Sequence, residues 1–332
     1  MHVHYLIVGA GFAGAATAWH LARRGENSIL LLEKEDVPGV HSSGRNAAIV
    51  RTHADDPEEM ALVAEGADVI REGSLAGYVR SGIMLMGMGE DNVAPRFARA
   101  SGQGQWCGDD GVVDAAALLR TYLQGLTVEY GVTATTFASD GDRVWVCTSR
   151  GDITCDLLIN AAGPWAGRFG ELPLTPMNRH LFQTTALDWV RPDWPTVWDG
   201  RRKFYFRPES GGLLLCCCDE TPAEPGEYSE DPAMVEELEH KVRTLQPGLG
   251  EISIRSQWVG QRTFAPDRRF VIGFDPREPH LFHVAGLGGH GVTASYAVGR
   301  LAADLILGEH RPDAETFAPA RLFSSDVRHA CS

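Results

Sequence analysis

The sequence predicts an α/β protein: a Rossmann-like dinucleotide-binding domain carrying an inserted α+β domain built on antiparallel sheet. Three observations predict it. The chain opens on a strand, a glycine turn, a helix and a second strand that ends in acid. Its texture changes between Leu174 and Gly260 to aromatic strands, prolines and one acidic helix. It then returns to buried strands and closes on a glycine-opened helix. The expected boundaries are 1–76, 112–173 and 262–332 for the dinucleotide domain, and 77–111 and 174–261 for the insert. A chain of 332 residues is long enough for two cores.

The first segment is the most legible. HVHYLIV is an apolar run of strand length, and GAGFAG follows. AATAWHLARRG has apolar residues at helical spacing, with Gly25 as a stop. Gly9, Gly11 and Gly14 stand in G-x-G-x-x-G order. They would give a tight turn, close backbone approach to a pyrophosphate, and close packing of helix on strand. The helix N-terminus offers N–H groups and a positive dipole end to phosphate. SILLLEKE is the second strand, and Glu33 ends it where a carboxylate holds ribose hydroxyls. A structural glycine turn alone would not need that acid.

VHSSGRNAAIVR, Val40 to Arg51, is too polar for a core helix and too rich in small residues for a solvated one. DPEEMALVAEGADVIREG predicts a helix with Asp56 as its cap. SGIMLMGMG predicts a strand, and VAPRFARASGQGQW reads as irregular. AAALLRTYLQGLTVEYG, opened by Asp114, predicts a helix throughout. TATTF, RVWVCTS and DITCDLLINAAG predict strands. The last ends in small residues, a pattern that allows a ligand close to backbone. KFYFRPESGGLLLCCC predicts a strand pair in the insert, followed by the helix DPAMVEELEHKVRTLQ. RFVIGFD and LFHVAG are strands, and GLGGHGVTASYAVGRLAADLIL opens a second helix N-terminus at a strand end. LFSSDVRHACS reads as a loose tail.

Bulk properties narrow the function. The net charge of −14 argues against a nucleic-acid footprint or attraction to anionic lipid. No apolar run approaches membrane-spanning length, and the first residues carry no signal-peptide pattern, so a cytoplasmic protein is expected. Seven cysteines include the run Cys216 to Cys218 but no CxxC pair, which predicts neither a disulfide frame nor a metal site. The triple run reads as small buried hydrophobes.

Together, VGAGFAG with Glu33, HSSGRNAA, VVDAAALL, LLINAAGPWAG, FYFRPESGGLLL, GQRTFAPDRRFVIG and GLGGHGVTASYAVG resemble the D-amino-acid oxidase-like family of flavoproteins. That family includes glycine oxidase, sarcosine oxidase and D-amino-acid dehydrogenases. The order is kept along nearly the whole chain, and the nearest texture is the D-arginine dehydrogenase branch. The resemblance implies FAD as cofactor and the GR2 type of Rossmann domain. It implies that His41, Ser42, Ser43, Gly44, Arg45, Asn46, Ala47 and Ala48 run beside the flavin ring and pyrophosphate. Gly288, Gly289, His290, Gly291, Val292 and Thr293 match a second flavin loop, and Ala162 and Gly163 a third contact. Lys34, Phe137 and Trp165 complete the implied cofactor set.

The resemblance also implies the chemistry: hydride transfer from a CH–N carbon to flavin N5, giving an imine. An amino acid is then gripped by its carboxylate, which arginine binds bidentately. Arg262 in GQRTFAPD matches the family's carboxylate-binding arginine. Tyr205 in FYFRP matches a tyrosine that covers the substrate, although a core aromatic on a strand would read the same. Arg51 matches an auxiliary carboxylate grip, with a surface salt bridge as the alternative. Arg179 and His180 begin a strand that faces substrate in the family, and His290 sits in the flavin loop. The His41–Ser42 spacing resembles one that carries covalent FAD in some relatives, but its surroundings differ. Ile49, Ala54 and Gly82 stand where the D-arginine branch has a histidine, a tyrosine and a glutamate, which argues against a D-arginine or D-lysine preference, while Arg262 and Arg51 together suggest a small, neutral or acidic substrate. Leu214 stands about where sarcosine oxidase-like members carry a lysine that speeds reaction with oxygen, which points toward a dehydrogenase passing electrons to another acceptor, with O2 as the alternative. Two other functions share the pattern: a 2-hydroxy-acid or glycerophosphate-type dehydrogenase, and a flavin-bearing subunit of a hetero-oligomeric amine oxidoreductase. Oligomeric state is not legible.

Overall fold

The computed structural model describes residues 1–54, 56–73, 75, 77–87, 98–101 and 104–323. The chain forms two compact units. The first holds Met1–Gly44, Ala115–Thr175 and Arg262–Ser332, and the second holds Arg45–Asp114 and Pro176–Gln261.

The first unit is built on a largely parallel sheet. Val128–Tyr130, Ile29–Glu33, His2–Val8, Ile153–Asn160 and Leu281–Ala285 lie side by side and parallel, with Val271–Phe274 antiparallel at the end. Such strands are covered on both faces and read as unbroken apolar runs. Ile29–Glu33 is buried at every position. The helices Phe12–Arg23 and Ser295–Ile306 pack together so closely that a Cβ at Gly299 would come within 2.6 Å of the Ala16 carbonyl carbon. On the sheet, Leu6, Val8, Leu30, Leu32 and Leu158 share a core cluster with Val144 and Val146 from the hairpin Ala134–Ser139/Val144–Thr148.

The second unit centres on a mixed sheet. Phe204–Glu209 and Gly212–Cys216 form a hairpin flanked by Thr175–Thr184 and Thr196–Asp199. Alternation along the triple cysteine run splits it between two cores. Cys217 joins Phe182, Phe204, Leu238 and Val242 under the helix Ala233–Leu245. Cys216 and Cys218 face Leu181, Leu85 and Tyr205 on the other side. All three are buried, as the sequence pattern predicts, and burial pushes the Cys217 thiol up to about 12.

Three sequence expectations differ from the structure. Residues 45–76 and 112–114, assigned to the dinucleotide domain, belong to the second unit. There Ile49–Val50 and Tyr78–Arg80 both pair with Gly111–Val113. The helix predicted over 115–131 stops at Leu123, because Gly125 turns the chain with φ +79°, and Val128–Tyr130 becomes a strand beside Ile29–Glu33. The stretch read as irregular contains the paired strands Ala98–Ser101 and Gly104–Cys107, while its residues 93–97 and 102–103 lie outside the described residues. The tail from Ser324 onward, with Cys331, also lies outside them. Among the described residues no helix is long and apolar enough to cross a membrane, and no cluster of His, Cys, Asp and Glu could hold a metal ion.

Candidate functional site

In the first unit a cavity of about 310 Å³ opens over the ends of the parallel strands. That volume is at the lower end of the roughly 300–1,000 Å³ typical of small-molecule sites. Gly9 and Gly11 form its floor, and Ala162, Gly163 and Trp165 border it after the strand Ile153–Asn160. Glu33, Lys34, His41, Ser42 and Ser43 close the other side. Bare backbone is required here. A Cβ at Gly11 would stand 2.8 Å from Ser43 Oγ. Gly9, with φ +107°, has the Ala161 carbonyl pressed against it.

Glu33 is 8% exposed. Its carboxylate accepts the Ala10 N–H at 3.2 Å and the Glu35 N–H at 3.1 Å. Burial nonetheless raises its pKa above the ordinary carboxylate value, so the two N–H groups only partly offset desolvation. Ser43 Oγ accepts the Phe12 N–H at 3.0 Å, in the first turn of the helix. Trp165 is framed by two basic side chains: Lys34 Nζ lies 3.6 Å from its ring centroid, and the His41 ring meets it at 4.6 Å. Glu35 bonds His41 Nε2 at 2.8 Å and pairs with Lys34 at 3.4 Å.

Some expected residues sit elsewhere. Gly14 packs behind the cavity against the Gly9 carbonyl, and Gly44 packs against Gly39. Phe137 does not line the cavity. Its side chain lies against the apolar core and meets the Phe169 ring in a tilted contact at 5.4 Å; Phe169 does line the cavity, together with Val132, Thr133 and Ala134. Phe137 is the visible aromatic of that strand, whereas Val132 to Ala134 carry no side-chain signal that would single them out.

The loop Gly288–Thr293 also belongs to the first unit. Val292 and Thr293 are buried, and His290 is half-buried with its ring 6.0 Å from Phe270. Arg262 lies against this loop: a Cβ at Gly289 would be 3.2 Å from Arg262 Nε. Phe264 fills the same place beside Gly288.

In the second unit Arg51 is half-exposed, with its guanidinium 4.6 Å from the Trp198 ring. His53 Nε2 lies 3.4 Å from Arg51 Nη1. Burial, aided by the Arg51 charge, holds His53 well below its ordinary pKa, so it stays a neutral partner. Tyr205 is 2% exposed and stacks on Trp198 at 4.5 Å, within the core cluster. The stack encloses the Tyr205 ring within the second unit. Arg179 is likewise engaged within the second unit. It is buried, donates from Nε to the Asp219 carbonyl at 3.0 Å, and pairs with Glu220 at 2.9 Å. His180 is likewise held, by the Asp219 carboxylate at 2.8 Å and the Asp231 N–H at 3.0 Å. Arg45 donates to the Val259 carbonyl and lies over Tyr228, a structural placement. Trp198, central to this group, is not legible in the sequence because tryptophan on a strand reads as core.

The family model for FAD dependent oxidoreductases (DAO) matches residues 4–104 and 91–305. The chain belongs to that family. It is therefore an oxidoreductase, and FAD is its cofactor. Among curated relatives it is 26% identical to 4-methylaminobutanoate oxidase (formaldehyde-forming) of Paenarthrobacter nicotinovorans, over 92% of this chain but 44% of that protein. It is 24% identical to the glycine oxidase of Bacillus licheniformis, over 91% of this chain and 92% of the relative. The fold is shared with L-proline dehydrogenase from P. horikoshii, at TM-score 0.83, 18% identity and coverage of 96% and 97%. Glycine oxidase from Geobacillus kaustophilus gives 0.81, 21%, 97% and 100%.

The residues present fit FAD. The cavity is walled by bare glycine backbone, a helix N-terminus and a buried acid, the donor set a nucleotide requires. Glu33 gives a first prediction. An acid whose folded pKa is raised contributes stability that is present at low pH and lost as pH rises through that pKa. Glu33→Gln apoprotein should thus be at least as stable as wild type at neutral pH, yet retain FAD more weakly. Thermal melts of both apoproteins, with FAD titration, check this. A destabilised apoprotein with unchanged FAD affinity would assign Glu33 to the fold alone.

Proposed function

We propose that this oxidoreductase acts on the CH–N bond of a small amino acid or secondary amine bearing a carboxylate, converting it to an imine. The observation that carries the reading is Arg262, half-exposed and laid against Gly289 of the glycine loop. Guanidinium is the side chain that binds a carboxylate through two parallel hydrogen bonds. The relatives support it: glycine, proline and 4-methylaminobutanoate, in the names of the matched proteins, are all amines carrying a carboxylate.

Bound FAD supplies the two-electron acceptor. Gly9, Gly11 and the first turn of Phe12–Arg23 would receive its pyrophosphate, and Glu33 its ribose. Ala162, Gly163, Trp165, Lys34 and the segment from His41 to Ser43 would hold the remainder. The loop from Gly288 to Thr293 leads into Ser295–Ile306, whose N-terminal end favours negative charge nearby. Arg262 would orient the substrate by its carboxylate. His290 would contribute a half-buried polar wall.

The test is anaerobic. D- and L-amino acids, N-methyl amino acids and 2-hydroxy acids are added singly while the visible flavin band is followed. Bleaching by an amine bearing a carboxylate is expected, and admitting air then separates an oxidase from a dehydrogenase. Bleaching by hydroxy acids alone would overturn the CH–N assignment. A yellow protein that no compound bleaches would point to a partner-dependent flavin subunit.

A further inference from the structure

Within the first unit a buried polar chain runs behind one wall of the cavity. The strand Ile153–Asn160 ends at Asn160, which pairs with His283 of Leu281–Ala285. Asn160, His283 and Asp275 are all buried. Beyond Asn160 the chain turns, and this turn gives the cavity Ala162, Gly163, Pro164, Trp165 and Phe169. The side chain of Asn160 holds the turn from inside. Its Oδ1 accepts the Ala162 N–H at 3.3 Å, and its Nδ2 donates to the Ala166 carbonyl at 3.0 Å. A backbone donor and a backbone acceptor therefore fix which way the amide faces.

That orientation dictates the rest of the chain. Asn160 Nδ2 also lies 3.2 Å from His283 Nδ1, which must accept its second hydrogen. The imidazole proton then sits on Nε2, which donates to Asp275 Oδ2 at 2.9 Å. Burial keeps His283 below its ordinary pKa. Against the same desolvation, bonds from His283 and Arg277 hold Asp275 well below the usual carboxylate range. Arg277 donates to Asp275 Oδ1 from its backbone N–H at 2.8 Å and from Nε at 3.0 Å, and to Oδ2 from Nη2 at 2.8 Å. The same Nη2 reaches the Gly170 carbonyl at 2.9 Å, at the far end of the turn. A Cβ at Gly170 would stand 2.5 Å from Asn160 Nδ2 and 2.6 Å from His283 Cε1, so the chain has no slack. A proton moved to His283 Nδ1 would face the Asn160 amide hydrogen. The amide would have to flip, and the Ala162 N–H and Ala166 carbonyl would both lose their partner.

We propose that Asp275 and His283 are positioning residues for the cofactor: Asp275 sets the His283 tautomer, and His283 sets the Asn160 amide that shapes the cavity wall from Ala162 to Trp165. This rests on the reading that FAD occupies this cavity. A wall that is correctly formed in only about a tenth of the molecules weakens apparent binding about tenfold.

The experiment centres on Asp275→Asn, which keeps the shape of the side chain. Two Arg277 donors claim the amide oxygen, so its NH2 group turns to His283 Nε2 and drives the imidazole proton to Nδ1. Nitrogen NMR of histidine-labelled apoprotein reads the tautomer, with His283→Gln identifying the signal, and FAD titration gives the dissociation constant. Wild type should carry the proton on Nε2. Asp275→Asn should carry it on Nδ1 and bind FAD about tenfold more weakly, the worth of about one hydrogen bond. A shifted tautomer with wild-type FAD affinity, even with a lowered melting temperature, would reduce the chain to fold support and end the proposal. An unshifted tautomer would end it too. If Asp275→Asn does not fold, two other variants decide. His283→Asn still offers Asn160 an acceptor where Nδ1 stood and should bind FAD more tightly than His283→Gln, which does not; equal constants would overturn the proposal. Gly11→Val separates the underlying reading, because its side chain enters the cavity floor beside Ser43. Wild-type FAD affinity in Gly11→Val would place FAD elsewhere and sink both readings. Lost affinity there with no change in Asp275→Asn would sink this one alone.

Discussion

Gly14→Ala should yield a protein that purifies without yellow colour and melts well below wild type. The added Cβ would fall inside contact distance of the Gly9 carbonyl oxygen, and 3.1 Å from Ile7 Cγ2. The Gly9 oxygen is backbone and cannot swing aside. The helix Phe12–Arg23 would have to lift from the strand His2–Val8, and the turn that floors the cavity would move with it. Forcing an extra carbon into a packed contact costs about 1–3 kcal/mol and more where backbone must shift, so about 3 kcal/mol or more is expected. Gly248→Ala is the control, since its added Cβ meets nothing within 4 Å. Thermal melts and the ratio of flavin to protein give the answer. A yellow Gly14→Ala protein with a wild-type melting temperature would remove helix–strand packing as the role of this glycine.

Arg262→Ala should lower kcat/KM for the amine substrate by roughly 10- to 100-fold, mostly through KM, as expected for losing about 1.5–3 kcal/mol of charge-assisted hydrogen bonding. Arg262→Lys should recover only part of it, because an ammonium does not reproduce the planar fork. Arg201→Ala removes an exposed arginine from the other unit and should leave the kinetics unchanged. Equal losses in Arg201→Ala and Arg262→Ala would undo the carboxylate assignment. A flavin content that falls in Arg262→Ala would instead make this residue a support for the loop at Gly289.

The nucleotide cradle is legible in the sequence. Gly9, Gly11, Gly14 and Glu33 act through local backbone geometry along one strand–helix–strand unit, and short-range pattern records that well. Misreadings fall where long-range pairing overrides local preference. LTVEYG continues a good helical pattern, but Ile29–Glu33 offers Val128–Tyr130 an open strand edge, and Gly125 releases the chain to take it. ARAS and GQWC look irregular alone and become strands because Gly104–Cys107 pairs with Ile83–Met86. The contact expected of Phe137 passes to Val132, Thr133 and Ala134 because its ring is drawn into the core beside Phe169.

By itself, the sequence determined the family, the cofactor and the glycine turn that receives it. It did not determine what each arginine does. The resemblance offered Arg179 and Arg262 alike as substrate contacts, and Arg207 drew no reading at all. In the folded chain Arg179 is consumed by Asp219 and Glu220, Arg207 grips Ala47, and Arg262 lies against a glycine loop. Only tertiary structure decides among these fates, because a guanidinium takes its role from whichever carbonyls and carboxylates distant strands bring within hydrogen-bond reach.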